Sequence, residues 1–292
     1  MFKLLSYILV LLFAIEANAN DTLARIKERK TIIIAHREAS MPISYLSEDS
    51  KPIGYAVDIC SKVVERIRRE LKMPQLTVSY LLVNSSNRFV AIQEGKADFE
   101  CGTTANTAER RKQMAFSIPY FFSATRLLTS AESTIKNWSD LSQKRVVVAR
   151  GSLALALLRQ QTQFKFSELR IIEASTSHAA FEMLQQGQSD AFVSEEVVLA
   201  GLRASADQIQ HWKITGDGIG IEAQTIMLAK DDPSLKVLID KEIARMMNEG
   251  ELSKLYEKWF TQPLPPTGVN YALPMSFLLR DSMRFPSDKV FN

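Results

Sequence analysis

The chain is poor in the residues that build metal and redox centres. Its 292 residues include only two cysteines and three histidines. Cys60 and Cys101 stand outside any C-x-x-C motif, and His36, His178 and His211 are scattered. Metal-ligand spacing is therefore absent, and no metal or other cofactor is expected. Charge of one sign is scarce too: 36 basic residues against 33 acidic ones leave a net +3. The basic residues form no patch, which argues against a nucleic-acid partner. No nucleophile–base pair or phosphate loop is visible, so no catalytic residue is expected. Tandem repeats and low-complexity segments are missing.

One apolar run is present, at the very start. "MFKLLSYILVLLFAIEANA" has a lysine, an apolar stretch from about Leu4 to Ile15, and Ala17-Asn18-Ala19. That is the pattern of a cleaved signal peptide over residues 1–19. The stretch is shorter than the roughly 20 residues that a bilayer crossing requires. Export makes a Cys60–Cys101 bond chemically possible, but two thiols can equally be small buried hydrophobes. The sequence leaves both open.

Beyond the leader, short apolar strands alternate with longer helical runs, as in parallel sheets covered by helices. "TIIIAH" reads as a strand and "YAVDICSKVVERIRREL" as a helix with Val57, Cys60, Val63, Val64, Ile67 and Leu71 on one face. "LTVSYLLV", "RFVAIQEG" and "ADFECG" continue as strand, helix and strand. "RVVVAR", "LALALLRQQ", "RIIEAS", "HAAFEMLQQG" and "SDAFVSE" repeat this rhythm. The segments "VAIQEGKADFEC" and "FEMLQQGQSDAFVS" share a helix, a glycine, a small residue, an aspartate and an apolar strand. The last stretch, about 275–292, reads as polar and loosely held.

Several of these segments coincide with one pattern. "GYAVDI", "QEGKADF", "TAERRKQMAFSIPYFF" and "DDPSLKVLIDKEIARMMNEGELSKLYEKWF" resemble the type 2 periplasmic solute-binding proteins of amino-acid ABC transporters, family 3. "HREAS", "SSNR" and "DFECG" are most similar to the glutamate/aspartate-binding branch. The resemblance implies an α/β fold of two lobes with two hinge crossings, at "TRLLTS" and "TIMLAK". Lobe 1 would comprise 20–125 and 229–292, and lobe 2 would comprise 126–228. It also implies a monomer in the periplasm that encloses an acidic amino acid and hands it to a permease of the inner membrane. A ligand-sensing role outside transport is the alternative, followed by an enzyme built on the same fold.

A free amino acid must have both charged ends neutralised when water is stripped away. Arginine suits carboxylates because its planar fork donates two parallel bonds. The resemblance assigns the ligand's α-carboxylate to Arg88, at a helix start where free N–H groups favour anions. It assigns the side-chain carboxylate to Arg37. Ser85, Thr103 and Thr104 match hydroxyl donors, and Ala105 replaces a further threonine. Ser40 fits either ligand contact or loop chemistry. Glu109 and Arg110 read as structural braces of the helix that follows.

The second half departs more. Ser152 matches the turn after the lobe's first strand and is also a sensible helix N-cap. Arg150 adds an atypical charge there. Ser177 aligns with a ligand histidine, with His178 one place later. Glu195 aligns with the acid that pairs with the ligand's ammonium, and Glu196 competes for that role.

Overall fold

Two five-stranded sheets, each with helices packed on it, account for most of the computed structural model, which describes residues 21–162, 169–264 and 268–290. The expected leader lies outside the described residues.

The chain opens with helix α1 (Thr22–Arg29), followed by β1 (Thr31–Arg37). Ile32 and Ile34 are buried on one side of β1, as the β-branched run requires. A small hairpin layer follows, made of β2 (Ala39–Ser40), β3 (Ser44–Leu46) and β4 (Pro52–Ile53). Helix α2 (Tyr55–Glu70) buries Val57, Cys60, Val63, Val64 and Ile67, while Leu71 is only half-buried at its C-terminal end. Next come β5 (Thr77–Val83), α3 (Arg88–Gln93), β6 (Phe99–Cys101) and β7 (Met114–Phe116).

The second sheet begins with β8 (Phe121–Ser130), then β9 (Arg145–Ala149), α4 (Leu153–Thr162) and β10 (Arg170–Ala174). It continues through α5 (Ser177–Gln185), β11 (Ala191–Glu195), α6 (Glu196–Ala204) and β12 (Trp212–Gln224). The chain returns to the first sheet with β13 (Met227–Ala229) and finishes with α7 (Pro233–Asn248), α8 (Glu251–Phe260) and α9 (Phe277–Arg284).

The strand orders match. The first sheet runs β5-β1-β6-β13-β7 and the second β10-β9-β11-β8-β12. In each, three parallel strands are joined by an antiparallel fourth, β13 or β8, which arrives from the other sheet. The α/β fold with two crossings is thus present.

The crossings lie side by side at 117–120 and 225–226. The Ser117 amide donates to the Ile226 carbonyl at 3.0 Å, and the Tyr120 amide to the Gln224 carbonyl at 3.0 Å. "TIMLAK" starts at the second crossing. "TRLLTS" lies instead within β8, which has entered the second sheet by Phe121, several residues before the expected 125/126 limit. An aromatic cluster anchors this point: Tyr55 and Phe121 pack on Phe260 with centroids 5.3 and 5.0 Å away, and Tyr256 lies 4.4 Å from Phe260. The Tyr55 hydroxyl donates to the Tyr120 carbonyl at 3.0 Å.

Two features correct or complete the sequence reading. Cys60 and Cys101 are bonded, with Cα atoms 6.4 Å apart, tying α2 to the end of β6. The tail is not loose throughout. Ser276 caps α9 by accepting from the Leu279 amide at 3.2 Å, Leu279 is buried, and Lys236 pairs with Asp288 at 2.8 Å. One well-placed cap, a buried leucine and the partly buried Met283 dock this half-apolar helix.

Candidate functional site

Parallel strands end on the same side of a sheet, so their C-terminal ends gather side chains from distant parts of the chain at one edge. Here that edge collects charge. Arg37 ends β1 and is buried, with its backbone amide held by Ser44 Oγ at 3.0 Å. Its Nη2 donates to Ser85 Oγ at 2.7 Å, and its Nη1 reaches Thr103 Oγ1 at 3.5 Å. Arg88, 2% exposed, folds back so that Nη1 donates to the Ser85 carbonyl. Its guanidinium lies over the Phe89 ring at 4.9 Å, and that of Arg110 lies 5.4 Å from the same centroid. Ser85 therefore joins the two arginines on which the sequence reading turns.

Helix α3 spans only Arg88–Gln93, too short for its end dipole to add much. The anion-binding capacity of this rim rests on the guanidiniums. Burial, then the neighbouring charges of Arg37 and Arg110, pushes Arg88 well below the usual arginine range, with Glu100 and Glu195 opposing. An arginine nonetheless keeps its proton in proteins, so the result is a buried cation short of counter-charge. Arg88 Nε has no hydrogen-bond partner among the described residues.

Glu100 on β6 lies between these cations. It is fully buried, and neither carboxylate oxygen has a hydrogen-bond partner among the described residues. Burial raises its pKa, with Arg37 and Arg88 the strongest opposing influences. Thr103 and Thr104, just beyond the disulfide end of β6, are buried too, and the Thr104 side chain lies near enough to Glu100 to oppose the rise of its pKa. Ala105 forms an isolated bridge with Gln224, so this position is built into the crossing.

The second sheet presents the opposite charge. Glu195 ends β11, is buried, and accepts from Ser194 Oγ at 2.9 Å. Glu196, the competing acid, pairs with Arg126 at 2.6 Å. Ser152 Oγ accepts from the Leu155 amide at 3.2 Å, which makes it a cap of α4. Ser177, the first residue of α5, lines a crevice with Arg37, Ser40 and Asn84. His178 is half-exposed and lies 3.4 Å from Glu182 on its own helix. The Arg150 side chain turns outward to Glu173 at 3.3 Å, while its carbonyl accepts from Ser86 Oγ across the cleft at 3.2 Å.

Two further contacts show how closely the rims approach. Gly151 has φ +71°, and a Cβ there would lie 2.6 Å from the Ser85 carbonyl oxygen. A Cβ on Gly201 of α6 would lie 2.0 Å from the carbonyl oxygen of Met41, in the hairpin layer of the first lobe. Neither position has room for a side chain at this separation.

Sequence reasoning underrated three residues. Arg110 does reach the Ala105 carbonyl at 3.0 Å as a brace would, but it also belongs to the charged rim. Glu100 was visible only as part of "DFECG". Glu222, in "GIGIEAQ", carries no motif; it is buried and accepts from Thr125 Oγ1 at 3.0 Å. Among the described residues, no group of side chains is suited to hold a metal ion, and no helix is long and apolar enough to cross a membrane.

Paired lobes, coupled crossings and a cleft lined by buried charged side chains fit a two-lobed solute-binding protein. Residues 32–262 match the profile of the bacterial extracellular solute-binding proteins, family 3, and the chain belongs to that family. It is 41% identical over 270 residues to the L-glutamate/L-aspartate-binding protein of Pseudomonas aeruginosa, covering 92% of this chain and 89% of that one. It is 38% identical over 274 residues to the glutamate/aspartate import solute-binding protein of Escherichia coli, covering 94% and 91%. Among solved structures, an ancestral arginine-binding protein bound to glutamine is similar with a TM-score of 0.71 and 25% identity, over 80% of this chain and 98% of that one. An ancestral amino acid-binding protein described as a precursor of cyclohexadienyl dehydratase shares the fold, with a TM-score of 0.69 at 23% identity, over 82% and 100%.

Proposed function

We propose that this protein captures an acidic amino acid, glutamate or aspartate, in the periplasm and delivers it as a monomer to the permease of an ABC importer. The supporting observation is the convergence of buried Arg37 and Arg88 on Ser85, facing Glu195 from the other lobe. Arg37 takes the side-chain carboxylate and Arg88 the α-carboxylate, each through its two-pronged fork. Ser85, Thr103 and Thr104 add hydroxyl contacts, and Glu195 takes the ammonium. Ser152 and Ser177 supply polar groups from the second lobe.

A buried arginine without a full counter-charge costs the fold stability, and a carboxylate guest relieves that cost. Guest binding and closure are therefore one event: only the closed form sets both rims around the ligand, so the ligand shifts the population toward it. The names of the relatives at 41% and 38% identity favour the same ligand class. Isothermal titration with a panel of amino acids tests the reading. Glutamate and aspartate are expected to bind at least 100-fold more tightly than their amides, and an absence of binding by both acids would sink it.

A further inference from the structure

Glu222 is a buried acid that the ligand assignment above leaves unused. It sits near the end of β12, 4% exposed, on the edge where β8 bridges the two acidic strands. Thr125 of β8 is in register with Glu195 of β11 on one side and donates to Glu222 Oε1 on the other. The second oxygen, Oε2, has no hydrogen-bond partner among the described residues. The charged groups facing it come from three directions: Glu195 on β11, Arg110 on the turn before β7, and Arg88 at the start of α3. Thr125 is its hydrogen-bond partner through Oε1, and neither arginine reaches Oε2 at hydrogen-bond distance. A carboxylate so placed would be buried, unpaired and beside a second carboxylate, which is the costliest arrangement available to it.

We propose that Glu222 is a ligand-contacting residue that stands in the cleft as a neutral acid, its free Oε2 hydroxyl donating to the guest, and thereby fixes the net charge the cavity accepts. With Glu222 neutral, three guanidiniums (Arg37, Arg88, Arg110) face at most two carboxylates (Glu100, Glu195), leaving at least one positive charge. An acidic amino acid, with two carboxylates and one ammonium, carries one negative charge and cancels it. A neutral amino acid leaves it uncancelled. Were Glu222 ionised, the same cavity would hold one positive charge fewer and its preference for an anion would weaken. Desolvation and then the charge of Glu195 raise the Glu222 carboxyl to about 8, which agrees with the neutral form in ordinary buffers. This inference rests on the acidic-ligand reading and adds the residue that enforces it.

The test compares the intact protein and its E222Q variant by titration calorimetry with glutamate and glutamine between pH 6 and 9. The free carboxyl is protonated below about pH 8, so wild-type affinity for glutamate should be flat from pH 6 to 7.5. Above pH 8 the acid ionises before the guest arrives, and affinity should fall, approaching ~10-fold per pH unit as the guest must restore the proton. The glutamate-to-glutamine affinity ratio should fall with it. E222Q keeps a neutral donor at every pH, so its ratio should stay constant, and circular dichroism checks its fold. Heats in two buffers of different ionisation enthalpy, measured on the wild type alone, should show no proton exchange at pH 7 and proton uptake above pH 8. A wild-type ratio that is flat to pH 9, proton release at pH 7, or a falling ratio in E222Q overturns the assignment while leaving the acidic-ligand reading intact. Binding of neither glutamate nor aspartate at pH 7 overturns both.

Discussion

Asp98 and Asp190 occupy the same place in the two lobes and do the same work. Each stands just before the third parallel strand, β6 or β11, and accepts from a backbone amide of the first strand: Ile33 at 2.7 Å, Arg145 at 2.8 Å. Each also pairs with an arginine, Arg29 at 2.6 Å and Arg145 at 2.7 Å. The scaffold is thus repeated down to single hydrogen bonds. The rims built on it are not. Lobe 1 ends its strands in buried guanidiniums and threonines, and lobe 2 ends its strands in the Glu195 carboxylate and the capping hydroxyls of Ser152 and Thr176. A sheet dictates what its braces must be, whereas only the guest dictates what the strand ends carry. The braces therefore recur, and the rim residues diverge.

That contrast can be broken at several levels. The largest effect is expected from the Cys60–Cys101 bond, which only lobe 1 has and which closes a span of 41 residues. Replacing both by serine should cost roughly 4 kcal/mol of stability on loop-entropy grounds. Differential scanning calorimetry should show a transition assigned to lobe 1 moving well below that of lobe 2. Next come the readers themselves. Arg37→Ala or Arg88→Ala should each weaken glutamate binding by about 3 kcal/mol, more than 100-fold, because a buried charge on the guest is left unpaired. Ser152→Ala and Ser177→Ala should weaken it less than about 5-fold, since a neutral hydrogen bond is worth roughly 1 kcal/mol.

The repeated braces should then separate by burial. The Asp98 side chain is fully buried and that of Asp190 is 32% exposed. Asp98→Ala should cost about 2–3 kcal/mol in urea denaturation and Asp190→Ala about 1 kcal/mol, the difference reflecting the desolvated partners left behind. Equal costs would show that position in the sheet, not burial, sets the strength of the brace. The smallest effect is expected at Gly201. Gly201→Ala should leave stability unchanged or raise it by up to ~1 kcal/mol, since alanine favours helix. Affinity should nevertheless drop several-fold, because the new methyl meets the Met41 carbonyl oxygen only when the lobes are together.

The clustering of the candidate residues of lobe 1 was legible because they sit in contiguous strings. Arg37 in "HREAS", Ser85 and Arg88 in "SSNR", and Thr103 and Thr104 after "DFECG" are brought together by three strand ends of one sheet. Lobe 2 was less legible for a physical reason. Glu222 matters because Thr125 places it beside Glu195, and that pairing depends on the register of β12 against β8, with bulges at 215–222 that no local pattern encodes. Arg110 likewise gains its place at the rim from the ring of Phe89, 21 positions earlier in the chain. The tail was misread because composition speaks for most of its residues and not for Ser276 and Leu279, which decide its docking.

The bond between Cys60 and Cys101 ends one residue before Gly102 and two before Thr103. Thiols stay reduced inside the cytoplasm and oxidise after export. The firmness of the strand end that leads into Thr103 and Thr104 therefore depends on whether this bond has formed. A reduced chain would lack that tie beside Thr103 and Thr104, and an oxidised one, in the extracytoplasmic setting of its family, has it.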